Sequence, residues 1–429
     1  MATYWDEALA AIDDVDGHSL DLQHREPVTP DFPVAEYRRR YARLQVLMDR
    51  RGLDALVLTQ EQPIRYLSGY NSVIWLVSRW LPTVFVATRD PKDALLLTSA
   101  FDAGCAEGTS WVSGAATYQS ASEIPARVSK HLRELGLSGA RVGCELGQGT
   151  QVSLPYSMMT ELITGVGGTP QDASRLLSVL RMLKSEAEVV KIRRSVASAV
   201  AGYRSGLAAA TAGMTEKELV SIIGSTMHAT GTTAGTRPFF VNCVAGRRRY
   251  PLVDTPASDN AFADGDVVFV DGGGGSDGYV SDILRLIGIG PLRPEDRRYA
   301  EVAALATESM VDTCRPGARV SELHQAGAAA VAAEGVTDSI GVVAGHGIGL
   351  DLWEAPFVSP HADAEQDVTI RAGMVLCLEP ILAPAHPDGG LAGVFVFEHQ
   401  VLVTQDGCEV LSADVPARLH ETETVANLA

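Results

Sequence analysis

The stretch DVVFVDGGGGSDGYVSDILRL, residues 266–286, decides how the second half of the chain folds. VVFV is a run of β-branched and aromatic residues, so it reads as a strand ending in Asp271. A glycine-rich run after a strand opens a dinucleotide-binding loop only when a helix comes next. Here YVSDILRL follows; it is rich in β-formers and reads as a returning strand. Glycines let two antiparallel strands lie side by side. Asp271 and Asp282, eleven residues apart, can then point into one site. Taken alone, two such aspartates are ordinary turn or strand-end residues.

Two further acids change that reading. Glu379 follows an apolar run in MVLCLEPI, and Glu398 is embedded in VFVFEHQVLV, read as one strand. An ionised glutamate in so apolar a segment is costly unless it is paired or bound to a cation. GHGIGLDLWEAP, residues 345–356, adds His346 between glycines, where the backbone can press close to a ligand. Four acids and one imidazole suit a pair of divalent first-row metals: manganese, iron or cobalt, with zinc also admissible. Such a pair activates a shared water and polarises the scissile group.

Composition narrows the classes. The chain is 46% hydrophobic and 21% charged, ordinary for a globular protein with full cores, and its net charge is −18. The basic runs, RRR at 247–249 among them, are too short to outweigh the acidic whole, so nucleic acid is not an expected partner. Six scattered cysteines lack a CxxC. The N-terminus is acidic without an apolar core, and no run approaches the about 20 residues that span a bilayer. A reduced, cytoplasmic protein without a membrane is expected.

The 429 residues suggest two domains. Residues 1–34 read as an irregular lead-in. A helical pattern from Glu36 closes at Gly52, and short apolar runs at 55–59, 83–88 and 93–98 alternate with helical stretches such as 121–136. That is an α/β domain, assigned to residues 1–176. Ser185 and Glu188 then have capping-box spacing, helices are expected near 215–230 and 295–312, and strands dominate after Asn242. Residues 177–429 are therefore expected to form an α+β domain.

The order and spacing of these motifs resemble the creatinase/aminopeptidase P/prolidase superfamily with its pita-bread fold. The resemblance runs from residue 36 to about 412. It rests on PIRYLSGY (63–70), LRMLKSEAEVVKIRRS, GDVVFVDGGGGSDGYVSDILR, GHGIGLDLWEAP, GMVLCLEP and FEHQVLVTQDGCEVLS. It implies that Asp271, Asp282, His346, Glu379 and Glu398 are metal ligands and that Glu379 is the general base. It also implies a homodimer in which a neighbour's N-terminal domain closes the site. The chain departs from the peptidases of this superfamily at three places. Trp353 and Asp254 stand where they carry histidines, seven residues after His346 and seventeen before Asp271, and Val396 stands where many carry arginine. Non-peptidase branches such as creatinase, ectoine hydrolase and a dimethylsulfoniopropionate lyase come into view. The leading expectation is a dinuclear-metal hydrolase cutting a C–N bond in a small nitrogenous compound or short peptide. The alternatives are a metal-dependent lyase and a non-enzymatic pita-bread binding protein.

If Asp254 and Trp353 both line the cavity, they form a cation receptor, because an indole face and a carboxylate both attract positive charge. A substrate with a positive group beside the scissile bond is expected. The aromatic run GYNSVIWLVSRWLP (69–82) supplies Arg79 and Trp80 as further substrate-side candidates. It reads as a lid, a dimer contact or the first domain's own core. His399 adjoins Glu398 and should face the other side of its strand.

Overall fold

The computed structural model describes residues 3–15, 17, 20–233, 240–336, 343–360, 367–386 and 390–422. The chain divides into two compact units, Ala2–Arg181 and Met182–Ala429.

The first unit is a mixed sheet with helices. Its strands are β1 (Ala55–Leu58), β2 (Val84–Thr88), β3 (Leu95–Ser99), β4 (Ala115–Tyr118), β5 (Arg141–Cys144) and β6 (Thr169–Asp172), in the spatial order β4-β3-β2-β1-β5-β6. β1, β2 and β3 run antiparallel to their neighbours in turn, while β3–β4, β1–β5 and β5–β6 are parallel. Val57, Val86, Leu97 and Val142 are buried against Val128 and Leu132 of the helix Ile124–Glu134 and Leu162 of Tyr156–Val166. Val34–Arg51 ends where Gly52 takes a left-handed φ of 61°, a conformation that favours glycine.

The expected irregular lead-in is corrected at its start. Tyr4–Ile12 is a helix, because Thr3 and Asp6 form a reciprocal capping box and Trp5, Ala8, Leu9 and Ile12 bury one stripe. The run after Tyr70 contains the short helix Ile74–Val77. Tyr70 is core: it is fully buried, packs edge-on to Trp75 and points its hydroxyl at Asp102.

The second unit holds the catalytic-type architecture. Its helix Glu186–Ala209 starts on the Ser185/Glu188 capping box read from the sequence. It packs against Glu216–Thr230. A Cβ at Gly202 would lie 2.6 Å from Met227 Cγ and 2.8 Å from the Ile223 carbonyl, so only glycine permits this approach. Pro294–Thr313 and Val320–Ala333 form a second helix pair.

The strands are β7 (Phe240–Ala245), β8 (Val267–Gly273), β9 (Gly275–Ser276), β10 (Tyr279–Val280), β11 (Ile283–Gly288), β12 (Gly345–Gly347), β13 (Glu354–Val358), β14 (Val375–Leu378), β15 (His399–Val403), β16 (Cys408–Val410) and β17 (His420–Glu421). One sheet is ordered β17-β11-β8-β7 and another β13-β12-β14-β15-β16, with β9 and β10 as a small ribbon. β8 and β11 are antiparallel, as the sequence implied. Gly273 lies so close to the Ser281 carbonyl that any side chain there would overlap it. No helix among the described residues is long and apolar enough to cross a membrane.

Candidate metal centre

Asp271 sits near the end of β8, and Asp282 immediately precedes β11. Register holds the two strands together: Gly272 pairs with Ile283 and Asp271 with Leu284. Beneath them the buried Tyr203 hydroxyl faces the carbonyls of Val270, Gly272 and Ile283, which ties both strands to the helix Glu186–Ala209.

The second sheet supplies the other residues. His346 is on β12, Glu379 directly follows β14, and Glu398 directly precedes β15. The expectation that Glu398 lies inside one strand from 394 to 403 is corrected. The ladder begins at His399, and Phe395 makes only an isolated bridge to Leu382. Val394 to Phe397 are instead packed into the apolar core, which is why they looked like strand. The two sheets meet where the Glu398 N–H donates to the Leu284 carbonyl at 3.3 Å and the Asp282 N–H donates to Gln400 Oε1 at 3.2 Å.

Five side chains converge. Carboxylate oxygens of Asp271, Asp282 and Glu398 lie within 4.8 Å of one another. His346 Nε2 is 3.5 Å from Glu379 Oε1 and 3.9 Å from Asp282 Oδ2. Asp282, His346 and Glu398 are buried, whereas Glu379 keeps 15% of its side chain exposed and so borders the opening.

Electrostatics shows what is missing from the protein's own atoms. Burial pushes Asp271 up to about 7 and Glu398 up to about 8, and holds Asp282 and Glu379 well above the usual carboxylate range. The neighbouring carboxylates add to each rise. His346 is lowered to about 4, mainly by burial, so its imidazole is neutral. Its Nδ1 lies 2.9 Å from the Gly347 carbonyl and must donate to it. That leaves the Nε2 lone pair facing acids. Nε2, both Glu398 oxygens and Asp282 Oδ1 have no hydrogen-bond partner among the described residues. Buried polar atoms are normally satisfied. A cluster of lone pairs turned on one another therefore fits divalent cations, and its oxygen-and-imidazole chemistry is that of first-row metals.

The remaining candidates divide. Trp353 stacks on His346 with ring centroids 5.1 Å apart and planes at 27°, and it is 54% exposed. It is therefore not core packing. Asp254 is exposed, and its charge reaches Asp271. The Asn242 amide, paired across from Asp271, donates to the Val253 carbonyl and so holds the Asp254 turn beside that strand. Val396 is buried in the core. Arg249 pairs with buried Glu216 at 2.9 Å, a structural role. Arg79 and Trp80 belong to the first unit and are both exposed.

His399 faces away from the acids as expected, with Nδ1 2.8 Å from Ser412 Oγ and Nε2 3.7 Å from Glu308. Sequence reasoning passed over three supporting residues. Arg285, fully buried, donates to the Glu398 carbonyl at 2.5 Å and so places that glutamate. Lys184 and Glu354 form a buried ion pair at 3.1 Å, and Glu354 also accepts from the N–H groups of Leu350 and Asp351. That fixes the loop carrying Trp353. Lys184 had been visible as a charge entering an apolar run in LRMLKS.

Fold and site together define a metal-dependent hydrolase of two-domain, pita-bread architecture. Residues 190–405 match metallopeptidase family M24, and residues 40–183 match the creatinase/prolidase N-terminal domain. The first match spans half of the chain, which belongs to metallopeptidase family M24, within the creatinase/aminopeptidase P/prolidase superfamily. The chain is 25% identical over 372 residues to the Xaa-Pro dipeptidase of Pyrococcus horikoshii, covering 85% of this chain and 94% of that protein. The fold is shared with the Xaa-Pro dipeptidase from Bacillus anthracis, with a TM-score of 0.76 at 24% identity over 90% of this chain and all of that one. It is equally close to the dipeptidase PepE from Mycobacterium ulcerans, with a TM-score of 0.75 at 24% identity over 92% and 100% of the two chains.

Proposed function

We propose that this hydrolase cuts a C–N bond in a short peptide or small nitrogenous compound that carries a positive group beside the bond. Two divalent ions would be held by Asp271, Asp282, His346, Glu379 and Glu398, with manganese, iron or cobalt preferred and zinc admissible. The observation that carries this reading is the convergence of buried, unpartnered donor atoms of His346, Asp282 and Glu398. Bound there, such ions would supply Lewis-acid polarisation and a water acidic enough to attack near neutral pH. Glu379 borders the opening and lies 3.5 Å from His346 Nε2, which supports it as the general base that would accept a proton from the attacking water and return it to the leaving nitrogen.

Trp353 and Asp254 would hold the positive group, the indole by its exposed ring and the carboxylate by charge. A dipeptide's ammonium is such a group, so dipeptides, among them the Xaa-Pro class named for the Pyrococcus horikoshii relative, belong in the first assay with guanidino, amidine and sulfonium compounds. Trp353 also supports a second reading, elimination by a lyase, since an indole cannot shuttle the proton that a peptidase histidine would. Labelled water decides: solvent oxygen enters a hydrolysis product and is absent from an elimination product. The non-enzymatic alternative does not suit a member of a metallopeptidase family that retains all five ligand-type residues. Residues 1–176 would act as the closing domain, and a homodimer is proposed.

Metal analysis tests the core of the reading. Protein purified without chelator should carry well above half an equivalent of divalent metal, and Asp271→Ala should lose most of it. Less metal under replete conditions, unchanged by Asp271→Ala, overturns the proposal.

A further inference from the structure

Cys377 lies in the middle of the site-facing surface of the second sheet. Three adjacent strands are in register there: His346 on β12 is opposite Cys377 on β14, which is opposite Gln400 on β15. Side chains alternate along a strand, so Val375, Cys377 and Glu379 share one face, while Leu376 and Leu378 occupy the other. The thiol is fully buried. Its Sγ lies within 4.8 Å of a His346 ring nitrogen and of a Glu398 carboxylate oxygen, the three atoms forming a second donor triangle beside the all-carboxylate one.

We infer that Cys377 is a sulfur ligand of the His346-side metal position and shifts the centre from the order its oxygen and imidazole donors alone would set towards thiophilic ions, zinc and cobalt gaining over manganese. The inference rests on the metal reading above. Two donors on one ion are separated by at most the sum of their bond lengths, about 4.4 Å for sulfur and imidazole nitrogen on zinc. At a tetrahedral angle the same two bonds bring sulfur and nitrogen to about 3.6 Å, so a triangle whose sides are within 4.8 Å would close by up to about an ångström, through rotation of the Cys377 and His346 side chains.

A buried cysteine often acts as a small apolar filler. The surroundings here are not apolar. The thiol turns its S–H towards the Glu398 carboxylate, and beside it His346 Nε2 and Gln400 Nε2 are buried without a hydrogen-bond partner among the described residues. Gln400 already uses its Oε1 to accept from the Asp282 N–H. Its remaining N–H groups, on the cross-strand neighbour of Cys377, are suited to donate to a metal-bound sulfur, the kind of supporting contact that tunes a ligand. Binding releases the thiol proton to solvent and adds one soft, anionic donor to an otherwise hard set. Soft sulfur favours zinc and cobalt, while carboxylates alone suit manganese.

The test is the absorption spectrum of full-length protein loaded with cobalt(II) chloride, with bound cobalt measured on the same sample. The expected result is an intense near-ultraviolet sulfur-to-cobalt charge-transfer band alongside weak visible d–d bands. Cys377→Ser should lose the charge-transfer band, keep the visible bands, and lower the zinc-to-manganese affinity ratio by about 10-fold. Bound cobalt without a charge-transfer band in the unaltered protein overturns the inference and leaves the metal centre standing, whether or not the variant folds. A band that persists in Cys377→Ser assigns the sulfur elsewhere and also overturns it. Failure to bind cobalt at all removes the metal reading and this inference together.

Discussion

At the scale of single residues, Glu398 has two buried oxygens with no hydrogen-bond partner among the described residues. Its folded-state value of about 8 and that of about 7 for Asp271 stand well above 4.5 and 3.8, their values in an unstructured chain. The metal-free fold therefore binds protons that the unfolded chain has released. Stability from these groups is full below the unfolded values and is lost as pH rises through the folded ones. His346, lowered from 6.5 to about 4, works the other way and loses stability as pH falls through that range. Above pH 6.5 only the acids act. Chelator-treated protein should therefore show a falling Tm between pH 6.5 and 8, and added divalent metal should raise Tm most at the upper end. Scanning calorimetry with and without metal checks this; a flat or rising metal-free profile counts against it. Trp353 allows a cleaner test of substrate charge. Removing a cation–π contact at a half-exposed ring costs about 1 kcal/mol, roughly 5-fold in affinity. Trp353→Leu should raise KM for a cationic substrate by about that factor with metal content held.

At the scale of elements, a buried pair anchors the loop between β12 and β13. Lys184 Nζ and the backbone of Leu350 and Asp351 all donate to Glu354. Removing one partner of a buried pair leaves an uncompensated charge, at a cost of about 3 kcal/mol or more. Lys184→Met should lower the denaturant midpoint accordingly and disorder the Trp353 stack, read as a change in tryptophan fluorescence. A midpoint within error of the unaltered protein would show that the pair does not hold this loop. Part of the element pattern was legible beforehand. Capping boxes are local, so the start at Ser185 followed from four residues. The helix Tyr4–Ile12 was missed although its Thr3/Asp6 box is equally local and Trp5, Ala8, Leu9 and Ile12 recur at helical spacing, because a pattern of only nine residues was absorbed into the irregular stretch that follows it. Val394–Phe397 was over-read as strand, because alternation cannot separate a ladder from core-packed extended chain.

At the scale of the whole molecule, the dimer proposal concerns the exposed run after the helix Ile74–Val77. Trp80 is 89% exposed and Val77, at the end of that helix, 72%, so an indole and a valine three residues apart both face outward. If a second copy completes the site, Arg79→Ala or Trp80→Ala should cut activity by an order of magnitude without emptying the metals. Sedimentation that shows a fully active monomer would refute it.

The ligand-type residues were legible in the sequence for a physical reason. An ionisable group inside an apolar segment is too costly to stand without a purpose, and His346, Glu379 and Glu398 each announce themselves by that contrast. The returning strand was legible because glycine is needed where backbones nearly touch, as Gly273 and Ser281 do. The role of Trp353 was not, since one tryptophan can be core or surface; only the folded loop shows it stacked on His346 and more than half exposed. Arg285 and Cys377 were equally silent on their partners. Arg285 shows the same charge-in-apolar contrast as the acids and Cys377 shows none, and for both the chain does not reveal the partner: the Glu398 carbonyl for one, His346 and Gln400 for the other. Neighbours along the chain set local conformation and burial, whereas strand register alone determines which distant atoms face each other, and the chemistry of this site depends on that pairing.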